Sequence, residues 1–122
     1  MLISFLQTHA FRRSWLRLGL TDDDLRGLET EISIDPMRYP VMRGSGGLRK
    51  IRLSPETSPG GKSGGCRVCF AYFAPYGLVY LFAVFAKSVR ANLTVAERNA
   101  CRKLLTATEQ WLREHSHEGR TP

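Results

Sequence analysis

The sequence predicts an α+β fold, with two helices at the start, strands in the middle and a helix at the end. Three observations predict it. The first is a pair of helical patterns with clear stop and start signals before Pro36. The second is the stretch Arg67–Lys87, RVCFAYFAPYGLVYLFAVFAK, which reads as two β-strands folded back on each other. The third is Thr94-Val95-Ala96-Glu97, a complete T-x-x-E capping box that opens a last helix. At 122 residues the chain is expected to form one domain over residues 1–122, with 114–122 as a frayed polar tail.

The helical third comes first. Leu2–Leu6 is short and apolar and is a candidate first strand. Phe11, Trp15 and Leu18 then fall at i, i+4 and i+7, one face of a helix that Gly19 stops from the C′ position. Thr21 is placed as an N-cap, and Asp22, Asp23 and Asp24 follow in the first turn, where carboxylates complement the helix dipole. Neighbouring helical carboxylates point in different directions, so the triplet reads as a helix start and not as a metal site. Leu25, Leu28 and Ile32 make the buried stripe, and Asp35-Pro36 ends the helix.

Tyr39–Gly47 is irregular and closes with Gly44-Ser45-Gly46-Gly47. The lysine and Ser/Thr of a phosphate-binding G-x-x-x-x-G-K-[ST] loop are absent, so these glycines are turn material. Leu48–Leu53 alternates as a strand. Leu48, Lys50 and Arg52 share one face, while Arg49, Ile51 and Leu53 share the other. Residues 54–65, SPETSPGGKSGG, form a long Pro/Gly/Ser loop that carries Lys62.

Val68–Ala86 is a run of nineteen uncharged residues, a length that by itself suggests a membrane span. Pro75-Tyr76-Gly77 breaks it with a turn, and no membrane partner is expected. A three-residue loop would pair Ala74 with Leu78 and Arg67 with Phe85, setting Arg67 and Lys87 on one face beside Cys69, Ala71 and Ala83. The opposite face, with Val68, Phe70, Tyr72, Tyr80, Phe82 and Val84, is the one expected to pack on helices. The last helix offers Cys101, Leu104, Leu105, Trp111 and Leu112 to the core.

Charge is concentrated where the strands are. The net charge is +7, of which residues 48–90 supply +6, from seven Lys/Arg against Glu56 alone. A localised basic surface points to a polyanion, nucleic acid first. Three cysteines and no leader pattern at the N-terminus suggest a reducing, cytoplasmic setting. Cys66 and Cys69 form C-x-x-C, but an odd offset puts them on opposite faces of a strand, with no second pair and no nearby histidine. His9, His115 and His117 lie near the two ends of the chain. Any chemistry in the basic region must therefore use lysine and arginine, and no metal or cofactor is expected. RNA allows this. The 2′-OH attacks its neighbouring phosphate when groups are held in line and the charge on the phosphorane is stabilised. A lysine among other cations serves as a base, and arginine grips phosphate oxygens in pairs. Lys50, Arg52, Arg67 and Lys87 are the candidate catalytic set, with Arg49, Lys62 and Arg90 as RNA contacts.

The ordered strings GGLRKIR (46–52), GKSGGCRVCF (61–70), VYLFAVFAK (79–87) and LT-x-x-E (93–97) resemble the HigB branch of the RelE/ParE toxin superfamily. FRRSWLRLGLTDDDLRGLETEI (11–32) resembles its two leading helices, so the likeness spans about residues 5–112. The resemblance implies a RelE-like fold with an antiparallel sheet of three to five strands. It also implies a type II toxin–antitoxin toxin that cleaves mRNA in the ribosomal A site. Its partners would be the ribosome, mRNA and a HigA-like helix-turn-helix antitoxin, with operator DNA reached only through that antitoxin. Lys50 and Arg52 match the two strand cations of RelE-like toxins, Arg67 the arginine opening the next strand, and Lys87 or Arg90 the basic residue after the following one. Some relatives carry a catalytic Tyr or His near the last helix. Here no Tyr follows Tyr80 and no His lies between His9 and His115, which leaves the general acid unassigned. The alternative is a non-catalytic binding protein on the same fold, such as a ParE-like toxin directed at gyrase.

Overall fold

The computed structural model describes residues 2–53, 65–90 and 92–115. The elements run β1 (Ser4–Gln7), α1 (His9–Arg17), α2 (Asp22–Ile34), a 3-10 turn (Pro36–Arg38), β2 (Arg49–Leu53), β3 (Cys66–Phe73), β4 (Leu78–Ala86) and α3 (Val95–His115). The strands form one sheet in the order β1-β4-β3-β2. This is the expected α+β arrangement with one correction: the sheet is mixed. β1 runs parallel to β4, from Ser4 opposite Leu78 to Gln7 opposite Leu81. No hairpin joins those two strands. The chain leaves β1 through the helices and returns in the same direction.

The helix ends follow their capping chemistry. Thr8 caps α1, its hydroxyl accepting the Phe11 N–H, and Gly19 sits just past the end at φ +75°. Thr21 and Asp24 form a reciprocal capping box at the start of α2. At α3 the Glu97 carboxylate accepts the Thr94 N–H at 2.8 Å, and the Thr94 hydroxyl accepts the Glu97 N–H at 3.1 Å. The helix runs through Glu114 and His115, two residues into the stretch expected to fray. The His115 ring stacks on Trp111 at 4.2 Å.

Both faces of the sheet are covered. On one side α1 and α2 bury Phe11, Trp15, Leu28 and Ile32 against Val68, Phe70, Leu81 and Val84. On the other side α3 lays Leu105 and Leu112 over Leu48, Cys69, Ala71 and Phe82. Fully burying side chains of this size stabilises by about 1.5–3 kcal/mol each. The expectation that one bulky face alone packs on helices is therefore corrected. Phe82 and Tyr80 belong to the α3 side, and Leu104, expected in the core, is 40% exposed while Thr108 is buried.

The reason lies in the hairpin. Its loop has four residues, not three: Ala74-Pro75-Tyr76 make a 3-10 turn and Gly77 takes the left-handed conformation at φ 59°. Phe73, not Ala74, pairs with Leu78. A β-bulge then follows. Phe70 opposes Leu81 but Cys69 opposes Ala83, so Phe82 is the extra residue. The bulge offsets the longer turn, and Arg67 still faces Phe85, as parity from the shorter turn also requires. A bulge leaves backbone groups without ladder partners. Here the Phe82 carbonyl accepts the Thr8 hydroxyl at 2.8 Å, so the cap of α1 also holds the bulge.

Between α2 and β2, the buried Ser45 hydroxyl donates to the Met42 carbonyl at 2.6 Å and accepts the Leu48 N–H at 3.0 Å. This pins the glycine turn and delivers Leu48 to the core. No helix among the described residues is long and apolar enough to cross a membrane.

Candidate functional site

β2 and β3 pair antiparallel, with Lys50 opposite Cys69 and Arg52 opposite Arg67. Strand parity places Lys50, Arg52 and Arg67 on the α3 side of the sheet, the side of Leu48, Cys69 and Ala71. Two arginines thus stand directly across the ladder, and a lysine sits two residues along on the same face. Arg52 is exposed, while Arg67 and Lys50 are partly buried.

Lys87 lies one step beyond β4, exposed in a tight turn. Its N–H donates to the Gly65 carbonyl at 3.3 Å, continuing the β3–β4 pairing past Cys66 and Ala86. That register keeps its backbone position on the parity of Arg67. Arg90 closes the same turn through its N–H to the Ala86 carbonyl at 3.2 Å. Its guanidinium carbon lies 4.7 Å from the centre of the Phe85 ring, and Phe85 is the residue opposite Arg67. So Lys50, Arg52, Arg67, Lys87 and Arg90 gather around one end of the sheet.

Two of the sequence candidates are not in this group. Arg49 points to the opposite face, where its guanidinium donates to the Met37 and Tyr39 carbonyls at 3.0 and 2.6 Å. There it ties the segment before β2 to the strand. Lys62 lies outside the described residues, as do Glu56 and His117.

The sequence reading missed Glu97. Its carboxylate receives Arg90 Nη1 at 2.5 Å, and this hydrogen bond is the main cause that holds the carboxyl below its ordinary range. The capping box gave its position on α3, but nothing in the sequence pairs it with Arg90, because the two meet only where the end of β4 reaches the start of α3.

The cysteines behave as core residues. Cys66 packs on the α1/α2 side and Cys69 on the α3 side, the opposite faces expected from their spacing. Burial pushes the Cys69 thiol up to about 12, so it stays protonated at neutral pH and is no nucleophile. Lys50, which lies opposite Cys69 on the ladder, and Arg90 pull the other way but do not outweigh burial. Among the described residues no group of three or more His, Cys, Asp or Glu is placed to hold a metal ion.

With a helix pair on one side of a mixed four-stranded sheet, one long helix on the other and cations at the strand ends, the chain has an α+β fold of the RelE type. A solved structure similar to it is the E. coli toxin RelE, determined in the free state as a double arginine-to-alanine mutant. The TM-score is 0.51 at 17% identity, over 73% of this chain and 87% of that one. No family model matches the chain.

Proposed function

We propose that this protein is the toxin of a type II toxin–antitoxin system, of the HigB kind, and that it cleaves mRNA on the ribosome. One observation carries the reading: Arg52 stands directly opposite Arg67, with Lys50 beside them on the same sheet face. Two guanidinium groups facing each other on one sheet face can grip a phosphodiester from both sides, which places positive charge where the phosphorane develops. The likeness to RelE supports the same reading.

In this reading the 2′-OH of one nucleotide attacks the adjacent phosphorus. A lysine amine, Lys50 or Lys87, takes the hydroxyl proton. Arg52 and Arg67 hold the non-bridging oxygens as the phosphorane forms. The P–O5′ bond breaks and an ammonium returns a proton to the leaving 5′ oxygen, leaving a 2′,3′-cyclic phosphate. No redox partner and no metal enters the balance. Arg90 contacts RNA at the rim, a HigA-like antitoxin neutralises the site, and DNA is reached only through that antitoxin.

Expression in growing cells tests the reading. Wild type is expected to arrest growth, and Arg67→Ala or Lys87→Ala to relieve the arrest while circular dichroism shows the fold kept. Full arrest by both variants would remove these residues from the site.

A binding-only toxin is the second reading, and one observation favours it. Tyr80 and His115 lie away from the cation cluster. Tyr80 faces Ala71, four residues along β3 from Arg67, and His115 stacks on Trp111. Growth arrest without new mRNA ends would select this reading.

A further inference from the structure

Glu97 stands where a proton acceptor for RNA cleavage would be sought, a carboxylate beside the cations. Its bonding argues for a different task. Its Oε1 already accepts Arg90 Nη1 at 2.5 Å and the Thr94 N–H at 2.8 Å. Arg90 also holds its carboxyl below the ordinary range, which makes it a weaker base. What Glu97 does accomplish is to fix a guanidinium. An arginine loses rotamer freedom when it is immobilised, so one that is held before the ligand arrives binds better.

We propose that Glu97 is the positioning residue of the cation site, clamping Arg90 over Phe85 so that its guanidinium is preset to meet an RNA phosphate next to Arg67. The chain of contacts is continuous. Glu97 is anchored on the first turn of α3 by its own cap. Arg90 joins it at the end of the Lys87 turn, and the Arg90 guanidinium covers Phe85. Phe85 pairs across the sheet with Arg67. Nη1 makes the hydrogen bond to the carboxylate, so Nε and Nη2 are not taken up by it. Glu97 therefore acts through Arg90 and touches no reacting atom.

The inference rests on the cleavage reading above, and its test separates the two. Cleavage of translated mRNA is measured for Glu97→Gln, Arg90→Ala and the double variant. Glutamine keeps the oxygen that accepts both the Thr94 N–H and Arg90 but removes the carboxylate charge, so the cap is preserved while the hold on Arg90 weakens. Each single variant is expected to lower kcat about tenfold with KM changed far less. The double variant is expected to match Arg90→Ala alone, because Glu97 has nothing left to position. Additive losses, or full activity in Glu97→Gln, would overturn the proposal. Arg67→Ala, run in parallel, reports on the cleavage reading itself. A second measurement does not depend on cleavage. Nitrogen-15 NMR should show slower rotation of the Arg90 guanidinium in the wild type than in Glu97→Gln, where a neutral oxygen replaces the charged one. Identical behaviour in the two proteins would also overturn the clamp.

Discussion

Arg52 on β2 faces Arg67 on β3, directly across an antiparallel ladder. Side chains directly opposite have Cβ atoms about 4.5–5.5 Å apart, and like charges at that spacing repel. The first prediction follows. Arg52→Thr puts a β-branched neutral residue at an exposed strand position. It should raise the unfolding free energy by about 0.2–1 kcal/mol. Urea denaturation measures the gain. The same variant should lose cleavage by about 10²-fold or more, as removal of one charge-stabilising donor does. A variant that is both destabilised and fully active would speak against the role given to the pair.

The Thr8 hydroxyl serves two elements at once. It accepts the Phe11 N–H at the start of α1 and donates to the Phe82 carbonyl in the bulge. Thr8→Ala removes the cap and leaves the bulge carbonyl without its partner. A cost of about 1–3 kcal/mol is expected, above the usual value for a cap alone. Thermal unfolding in parallel with Thr94→Ala, whose hydroxyl caps α3 without holding a strand bulge, separates the two contributions.

Two glycines should respond to alanine with opposite signs. Gly27 lies inside α2 with nothing within 4 Å of an added Cβ. Gly27→Ala should stabilise by about 0.4–1 kcal/mol. Gly46 has φ +78°, and its Cβ would fall 2.7 Å from Cγ of Arg102. Gly46→Ala should destabilise by about 1–2 kcal/mol, from the left-handed backbone and the displaced arginine. Arg102 also donates to the Gly44 carbonyl at 2.9 Å, so the glycine turn and α3 loosen together.

The Glu97 carboxyl titrates below its ordinary value in the folded protein, first because of the Arg90 hydrogen bond. Its folded pKa is lower than its unfolded one. Its stabilising contribution is therefore present above the unfolded value of about 4.3 and is lost as the pH falls through the folded value. Glu29 works in the other direction, since burial raises its carboxyl. The expected outcome is that Glu97→Gln loses less stability than wild type between pH 7 and pH 3, as measured by chemical denaturation.

Much of this was legible from residue types with a fixed local meaning. Thr21, Thr94 and Gly19 mark helix ends because capping is a short-range event, and each sits where the sequence placed it. The alternation of Leu48–Leu53 assigned the faces of β2 because a strand has a period of two. The facing of Arg67 and Phe85 was reached through a turn one residue too short, and the bulge at Phe82 restored the register. A bulge depends on a partner for its carbonyl. That partner is Thr8, seventy-four positions away, so nothing near Phe82 announces it. The same distance hid the parallel pairing of β1 with β4. Glu97 was assigned to its cap, and its second bond, to Arg90, appears only when the end of β4 meets the start of α3. Arg49 shares the composition of the basic region, yet its two carbonyl bonds give it a structural task.

The central claim is that the strand cations cut RNA, and primer extension on an mRNA undergoing translation tests it most directly. With wild-type protein, new 5′ ends should appear in the coding region, and with Arg67→Ala they should fall by about 10²-fold or more. An absence of new ends with the wild type, or equal ends with the variant, would contradict the account.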